Sequence, residues 1–190
     1  MTITPVDAES EDPTLKAIFG RFAHGEREVP LLYRILGNAP SMLDAWTAMA
    51  WPLRFDAKSD RGLRELLIMR VALLSASGFE WQAHWPAAVK YGVTHEQLTS
   101  LRNWESSLYF SAEEQIALRC TDEIVQDGGA SEDCVRELNR HFDSGSCIEI
   151  ILTAAFYTCV SRTLKSLSID PDPSDPSLQV FHQQLDNNIG

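Results

Sequence analysis

GLRELLIMRVALLSA, residues 62–76, is the stretch on which the fold turns. At 100° per residue, Leu63, Leu67, Val71 and Leu74 cover one face of a helix, and Ile68, Met69, Ala72 and Ala76 cover much of the other. A helix apolar on nearly all sides is one that other elements surround. Ser77 and Gly78 interrupt it. FEWQAHWPAAVKY (79–91) then forms a second helix, which Gly92 ends, glycine being suited to the left-handed position past a helix C-terminus. Pro86 removes one backbone hydrogen bond from that helix and predicts a kink.

Upstream, AKSDR (57–61) is a polar break. Before it, Ser41 is placed to cap a helix running to about Asp56, with Met42, Trp46, Met49 and Leu53 as its apolar stripe. LLYRILG after Pro30 reads as a helix ended by Gly37, Asn38 and Pro40, and residues 14–23 as a short one weakened by Gly20. Downstream, Thr94 with Gln97 and Ser111 with Glu114 have the spacing of capping boxes, the second for a helix to about Gln126. Ser131 is expected to cap a helix to about His141. Ser146 with Glu149 predicts a third box, opening a helix from Cys147 to Leu167. Its first part, CIEIILTAAFYTCV, is nearly all apolar, as core or as subunit contact. PDPSDP (171–176) is a linker, and LQVFHQQLDNN has a thin apolar face. No stretch alternates as a strand does. The expected fold is all-α and single-domain: a loosely attached, flexible arm at 1–12, a helical domain at 13–168 and a tail at 169–190.

The chain has 190 residues and a formal net charge of −11, with 44% hydrophobic and 23% charged residues. That length builds a real core. The charge repels phosphate backbones and anionic lipid, which argues against nucleic acid or a membrane surface as partner and leaves a small-molecule substrate. No apolar run reads as a membrane span, and MTITPVDAESEDP lacks the basic and apolar regions of a signal sequence, so the cytoplasm is the expected compartment. Cys120, Cys134, Cys147 and Cys159 form no Cys-x-x-Cys and no zinc spacing, and read as buried free thiols.

Glu80 and His84 stand four apart and share one helix face. A carboxylate hydrogen-bonded to an imidazole orients the ring and favours its protonated form, which makes an acid/base unit. Phe79, Trp81 and Trp85 around it are bulky enough to wall a dry pocket. The same spacing also suits an exposed ion pair on a solvated face. Glu65 lies on the apolar helix among Ile68, Met69 and Ala72, where a carboxylate without a cation has a raised pKa and suits a general acid or base. A structural ion pair is the competing reading. Arg70, also among leucines, points nearly opposite Glu65 and is not its partner. Two carboxylates and an imidazole are also donors for a divalent metal, but the expected site uses no metal and no cofactor. Tyr91, Tyr109 and Tyr157 are candidate pocket residues, while His24, His95, His141 and His182 read as surface or capping positions.

The run LRELLIMRVALLSASGFEWQAHWPAAVKYGVTHEQL (63–98) resembles the core motif of the carboxymuconolactone decarboxylase/alkylhydroperoxidase D superfamily. YRILGNAPSMLDAWTAM is similar to that family's preceding helix, and FSAEEQIAL to YTCVSRTLKSL resembles its C-terminal helices, so the likeness covers roughly residues 30–168. It implies an alkylhydroperoxidase D-like helical bundle and a homo-oligomer, a trimer or a hexamer of trimers. In the peroxidase branch the motif is a Glu, a Cys-x-x-Cys pair and a His. The Glu matches Glu65, the two cysteines match Ser77 and Glu80, and the His matches His84. Disulfide exchange needs two thiols in reach of each other, and both are missing. What remains is a Glu65/Glu80/His84 set with Ser77 placed to hold a substrate oxygen. The decarboxylase branch shuffles protons on small lactone acids, although this sequence departs from that branch's own motif. The expected function is therefore a non-redox acid/base enzyme for a small cyclic or carbonyl-bearing acid or lactone, acting by decarboxylation, isomerisation or elimination. An alkylhydroperoxidase- or peroxiredoxin-like antioxidant protein and a non-catalytic helical scaffold are the alternatives.

Overall fold

Asp60 starts the central helix α4 (Arg61–Leu74): its carboxylate accepts the Leu63 amide at 2.8 Å. In the computed structural model, which describes residues 3–23 and 28–186, residues 62–73 are all buried, as a helix apolar on all sides requires. The C-terminus of α4 closes without glycine. Ala76 takes the left-handed position (φ +48°), its amide donating to Leu73 O at 3.1 Å and that of Ser77 to Ala72 O at 2.8 Å, the paired bonds of a Schellman stop. After that three-residue turn α5 (Gly78–Lys90) returns antiparallel along α4 and continues through Pro86. Gly92, at φ +98°, follows its end as the sequence predicts.

The described residues form helices and no strand. The chain divides into two compact units, residues 57–165 with 170–190 and residues 1–56 with 166–169. In the larger unit α4 and α5 are followed by α6 (His95–Ser100), a 3₁₀ segment (Leu101–Ser106), α7 (Ala112–Asp122), α8 (Glu132–His141), α9 (Ser144–Ser166) and α10 (Ser177–Asp186). The boxes at Thr94/Gln97 and Ser111/Glu114 both form, and Ser131 caps α8. The helix expected to reach Gln126 changes at Asp122 into a π turn, Glu123–Asp127, ended by left-handed Gly128 (φ +87°). α7 packs on α4, and α10 on α5, α4 and α6. The thin face of the last helix suffices because Leu178, Phe181 and Gln184 all go inside.

The box expected at Ser146 and Glu149 does not form. Asp143 takes the capping role instead, accepting from the Ser146 amide at 2.9 Å, and α9 starts at Ser144. Glu149 is thereby free to accept the Lys58 and Ser59 amides at 2.9 and 2.7 Å. One side of α9 is core, yet Ile148 and Cys159 are exposed, so the expectation that Cys159 is buried is corrected. The expectation that no run reaches membrane-span length also needs correcting. By length and composition α9 qualifies, with a mean hydropathy of 1.4, but half of that window is buried inside the protein.

The smaller unit contains α1 (Pro13–Ala23), α2 (Leu31–Leu36) and α3 (Pro40–Phe55). α3 begins one residue before the expected Ser41 cap, with Pro40 at its first position, where the missing amide costs nothing. Its buried face is Leu43, Thr47, Ala50 and Leu53, turned to α1 and α2. Of the stripe expected, only Leu53 is inside, whereas Met42 and Met49 face solvent. The N-terminal segment pairs with α2: the Val6 amide donates to Arg34 O at 2.9 Å, and Arg34 Nε to Val6 O at 3.0 Å. Gly37 permits this approach, since a Cβ there would lie 2.6 Å from Val6 Cγ2.

Candidate active site

Antiparallel return after a short turn brings the early part of α4 beside the later part of α5. Glu65, completely buried, meets His84 there: Glu65 Oε2 lies 2.7 Å from His84 Nδ1. The ring's other nitrogen, Nε2, is 3.2 Å from Glu80 Oε1, one turn earlier on α5. Glu80 and His84 are themselves 3% and 6% exposed, which rules out the solvated-pair reading. Tyr157, reaching in from α9, sets its ring edge-on to His84 at 5.0 Å between centroids. Of the three candidate tyrosines it is the one whose ring meets His84, while Tyr91 and Tyr109 are exposed.

A fourth member comes from the break at 57–61. Arg61 Nη2 donates to Glu65 Oε1, one helical turn away on the same face. The Arg-x-x-x-Glu spacing was the available signal. Arg61 is held in its turn, since Asp60 caps its helix, Glu149 pins the two preceding amides, and the guanidinium lies 5.4 Å from the Tyr91 ring centroid. Gly62 lets Tyr91 come close, because a Cβ at 62 would stand 2.4 Å from Tyr91 O.

This pairing reverses the expected ionisation of Glu65. Burial pushes its carboxyl up, but the hydrogen bonds and charges of His84 and Arg61 outweigh burial, and it sits below the ordinary glutamate value. The role of second proton carrier, which needs a raised pKa, passes from Glu65. Glu65, Glu80 and His84 do converge on one cluster.

The aromatic expectations divide. Phe79 and Trp85 are half-buried, with the Trp85 ring 6.2 Å from that of the exposed His95. Trp81 is fully buried, donates from Nε1 to Ser177 O at 3.0 Å and packs on Phe181, so it anchors α10 and is not a pocket wall. Ser77 is buried at the turn, and its hydroxyl does not cap α5. It stands seven residues before His84, about 10 Å along the helix axis. His141 and His182 are exposed, and His24 lies outside the described residues. None of the four cysteines is in the α4–α5 hairpin. Burial pushes Cys120 up to about 12, and raises Cys134 and Cys147 as well. All four are free thiols.

Residues 40–123, which include the whole hairpin, match the Carboxymuconolactone decarboxylase family. That stretch is 84 of the chain's 190 residues, and over it the chain is similar to that family. The uncharacterized protein YdfG of Bacillus subtilis (strain 168) is 24% identical over 95 residues, 49% of this chain. The match spans 65% of YdfG, a little under two thirds of its length. Among solved structures, the debrominase Bmp8 without ligand superposes with a TM-score of 0.76 at 15% identity, over 97% of this chain and 98% of its own. A peroxidase-related protein with an alkylhydroperoxidase AhpD core, from Ralstonia eutropha JMP134, gives 0.73 at 17%, over 94% and 93%. At these identities the likeness is one of fold, an all-α arrangement.

Proposed function

We propose that this protein is a non-redox acid/base enzyme that moves a proton at carbon in a small cyclic or carbonyl-bearing acid or lactone. The observation that carries this reading is a buried imidazole with a carboxylate at each nitrogen, on a scaffold whose two thiol positions hold Ser77 and Glu80. Glu65, kept ionised by Arg61, accepts from Nδ1 and orients the ring. Nε2 and Glu80 form the pair that passes a proton to and from substrate. Ser77 holds a substrate oxygen, and half-buried Phe79 and Trp85 supply apolar wall. Isomerisation and elimination begin with removal of such a proton next to a carbonyl, and decarboxylation ends with one added to the carbon from which CO2 has left. The exposed Ile148 and Cys159 on α9 are compatible with a homo-oligomer, which light scattering would test.

A thiol-based reading has less support. Three of the four thiols are buried with raised pKa, whereas peroxide reduction needs an accessible thiolate with a resolving partner. Exposed Cys159 has neither the motif position nor a thiol partner in the hairpin.

The test is exchange in D2O. A panel of lactone acids, cyclic ketoacids and, because Bmp8 has been crystallised with 2,3,4-tribromopyrrole, halogenated pyrroles is followed by NMR for deuterium entering at carbon or for product. A variant with all four cysteines replaced should keep the activity, and His84→Ala should lose it. Thiol-dependent peroxide turnover that vanishes in the cysteine-free variant and survives in His84→Ala would reverse the assignment.

A further inference from the structure

We infer that Arg61 is a positioning residue that decides which nitrogen of His84 holds the proton of the neutral ring: Nδ1, toward Glu65, leaving Nε2 beside Glu80 as the working nitrogen. The inference rests on the acid/base reading for its consequence, not for its geometry.

The two oxygens of Glu65 have separate partners. Oε1 receives Arg61 Nη2, and Oε2 faces His84 Nδ1 at 2.7 Å. A guanidinium only donates and keeps its charge in proteins, so Oε1 can only accept. A carboxylate neutralised in this way has no proton to give, so the hydrogen between Oε2 and Nδ1 belongs to the ring. The imidazole's second nitrogen then carries a lone pair, and it is directed at Glu80.

Removing Arg61 changes the logic at Oε2. Glu65 is wholly buried, and burial by itself favours its neutral form. A protonated Glu65 donates to Nδ1, and the neutral ring must then carry its hydrogen on Nε2. The lone pair thereby moves to the side facing Glu65, away from the substrate side. Arg64 is no substitute, since its Nη1 is engaged by the Ser59 hydroxyl at 2.9 Å and by Ser59 O. The charged or titratable groups around the pair are Arg61 and Arg64 on α4, Glu80 on α5, Tyr91 past its end and Tyr157 on α9. Among these the two arginines are the only cations, and Arg61 is the one in contact with Glu65.

Long-range ¹H–¹⁵N NMR of the full-length, ¹⁵N-histidine-labelled protein reads the tautomer directly once the ring has been titrated to its neutral form. His84→Gln identifies the signal. Wild type should show the hydrogen on Nδ1. Arg61→Gln should move it predominantly to Nε2, and Arg61→Lys, which keeps the charge, should restore Nδ1. On any substrate that His84→Ala fails to turn over, Arg61→Gln should lower kcat about 10- to 100-fold, the usual cost of losing a group that orients a working histidine. A wild-type ring protonated on Nε2 overturns the inference, as does an Arg61→Gln ring that stays on Nδ1. If Arg61→Gln does not fold, Arg61→Met is read in the same way, and the wild-type tautomer alone still decides against the inference if it is Nε2–H. The tautomer result is independent of activity: a correct shift with no acid/base turnover sinks the enzyme reading alone, and turnover with no shift sinks this inference alone.

Discussion

Two of the charged residues that α4 buries, Glu65 and Arg70, stand five positions apart, and their surroundings differ in kind. Arg70 is closed off. Its Nε and Nη2 donate to the two oxygens of Asp122, each at 2.7 Å, and Nη1 donates to Leu101 O and Arg102 O. Trp104 Nε1 adds a bond to Asp122 at 3.0 Å. Such a bidentate pair ties α4, α7 and the 3₁₀ segment together. Around Glu65 one side is a cation, Arg61, but the other side is an imidazole whose far nitrogen meets a second carboxylate. Burial of charge is common to both clusters. A histidine between two acids is what distinguishes a place for chemistry from a rivet.

Breaking the two clusters should therefore produce opposite phenotypes. His84→Ala should cost about 10²- to 10⁴-fold in turnover, the usual worth of a general acid/base, with little change in denaturant midpoint. Asp122→Ala should do the reverse: about 3–5 kcal/mol of stability lost in urea unfolding, because the Arg70 charge stays buried without its partner, with turnover per folded molecule retained. An Asp122→Ala protein as stable as wild type would erase the distinction.

A pH series sharpens it. The folded-state pKa of Glu65 lies below its unfolded value of about 4.3. Its ionised form therefore contributes stability that is fully present above that value and is lost as pH falls through the folded pKa. Stability measured from pH 5 downward should fall less steeply in Glu65→Gln than in wild type, and identical acid limbs would mean that Glu65 is not held ionised. The smallest expected effect is at Trp81. Trp81→Phe removes the bond to Ser177 O but keeps an aromatic ring in the core, costing about 1 kcal/mol and speeding hydrogen exchange across α10.

Local information was read well from sequence, and partner choice was not. The burial of α4, the stop at Gly92, the boxes at Thr94 and Ser111 and the cap at Ser131 each depend on neighbours within a few residues, and each appears. The α3 stripe failed because which of two adjacent rows faces inward is settled by α1 and α2, not by the row itself. The box at Ser146 failed because Asp143 competes for the same amide and because Glu149 has a distant use at residues 58 and 59. The convergence of Glu65, Glu80 and His84 was legible because a short turn between two helices brings them together. Arg61 was passed over as part of a polar break, and with His84 it reverses the sign expected for Glu65. Tyr157 could not be singled out, since its contact with His84 spans 73 residues of chain.

The turn at Ser75, Ala76 and Ser77 acts as the site's spacer. All four polar members lie between residues 61 and 84, so their mutual placement depends on how many residues join the two helices more than on which ones. One inserted residue would rotate α5 by about 100° relative to α4 and carry Glu80 and His84 to a different side, even if every helix still formed. The joint should thus accept changes of side chain far more readily than changes of length. A segment of two dozen residues also holds all four polar members, and α9 braces it from outside through Glu149 and Tyr157.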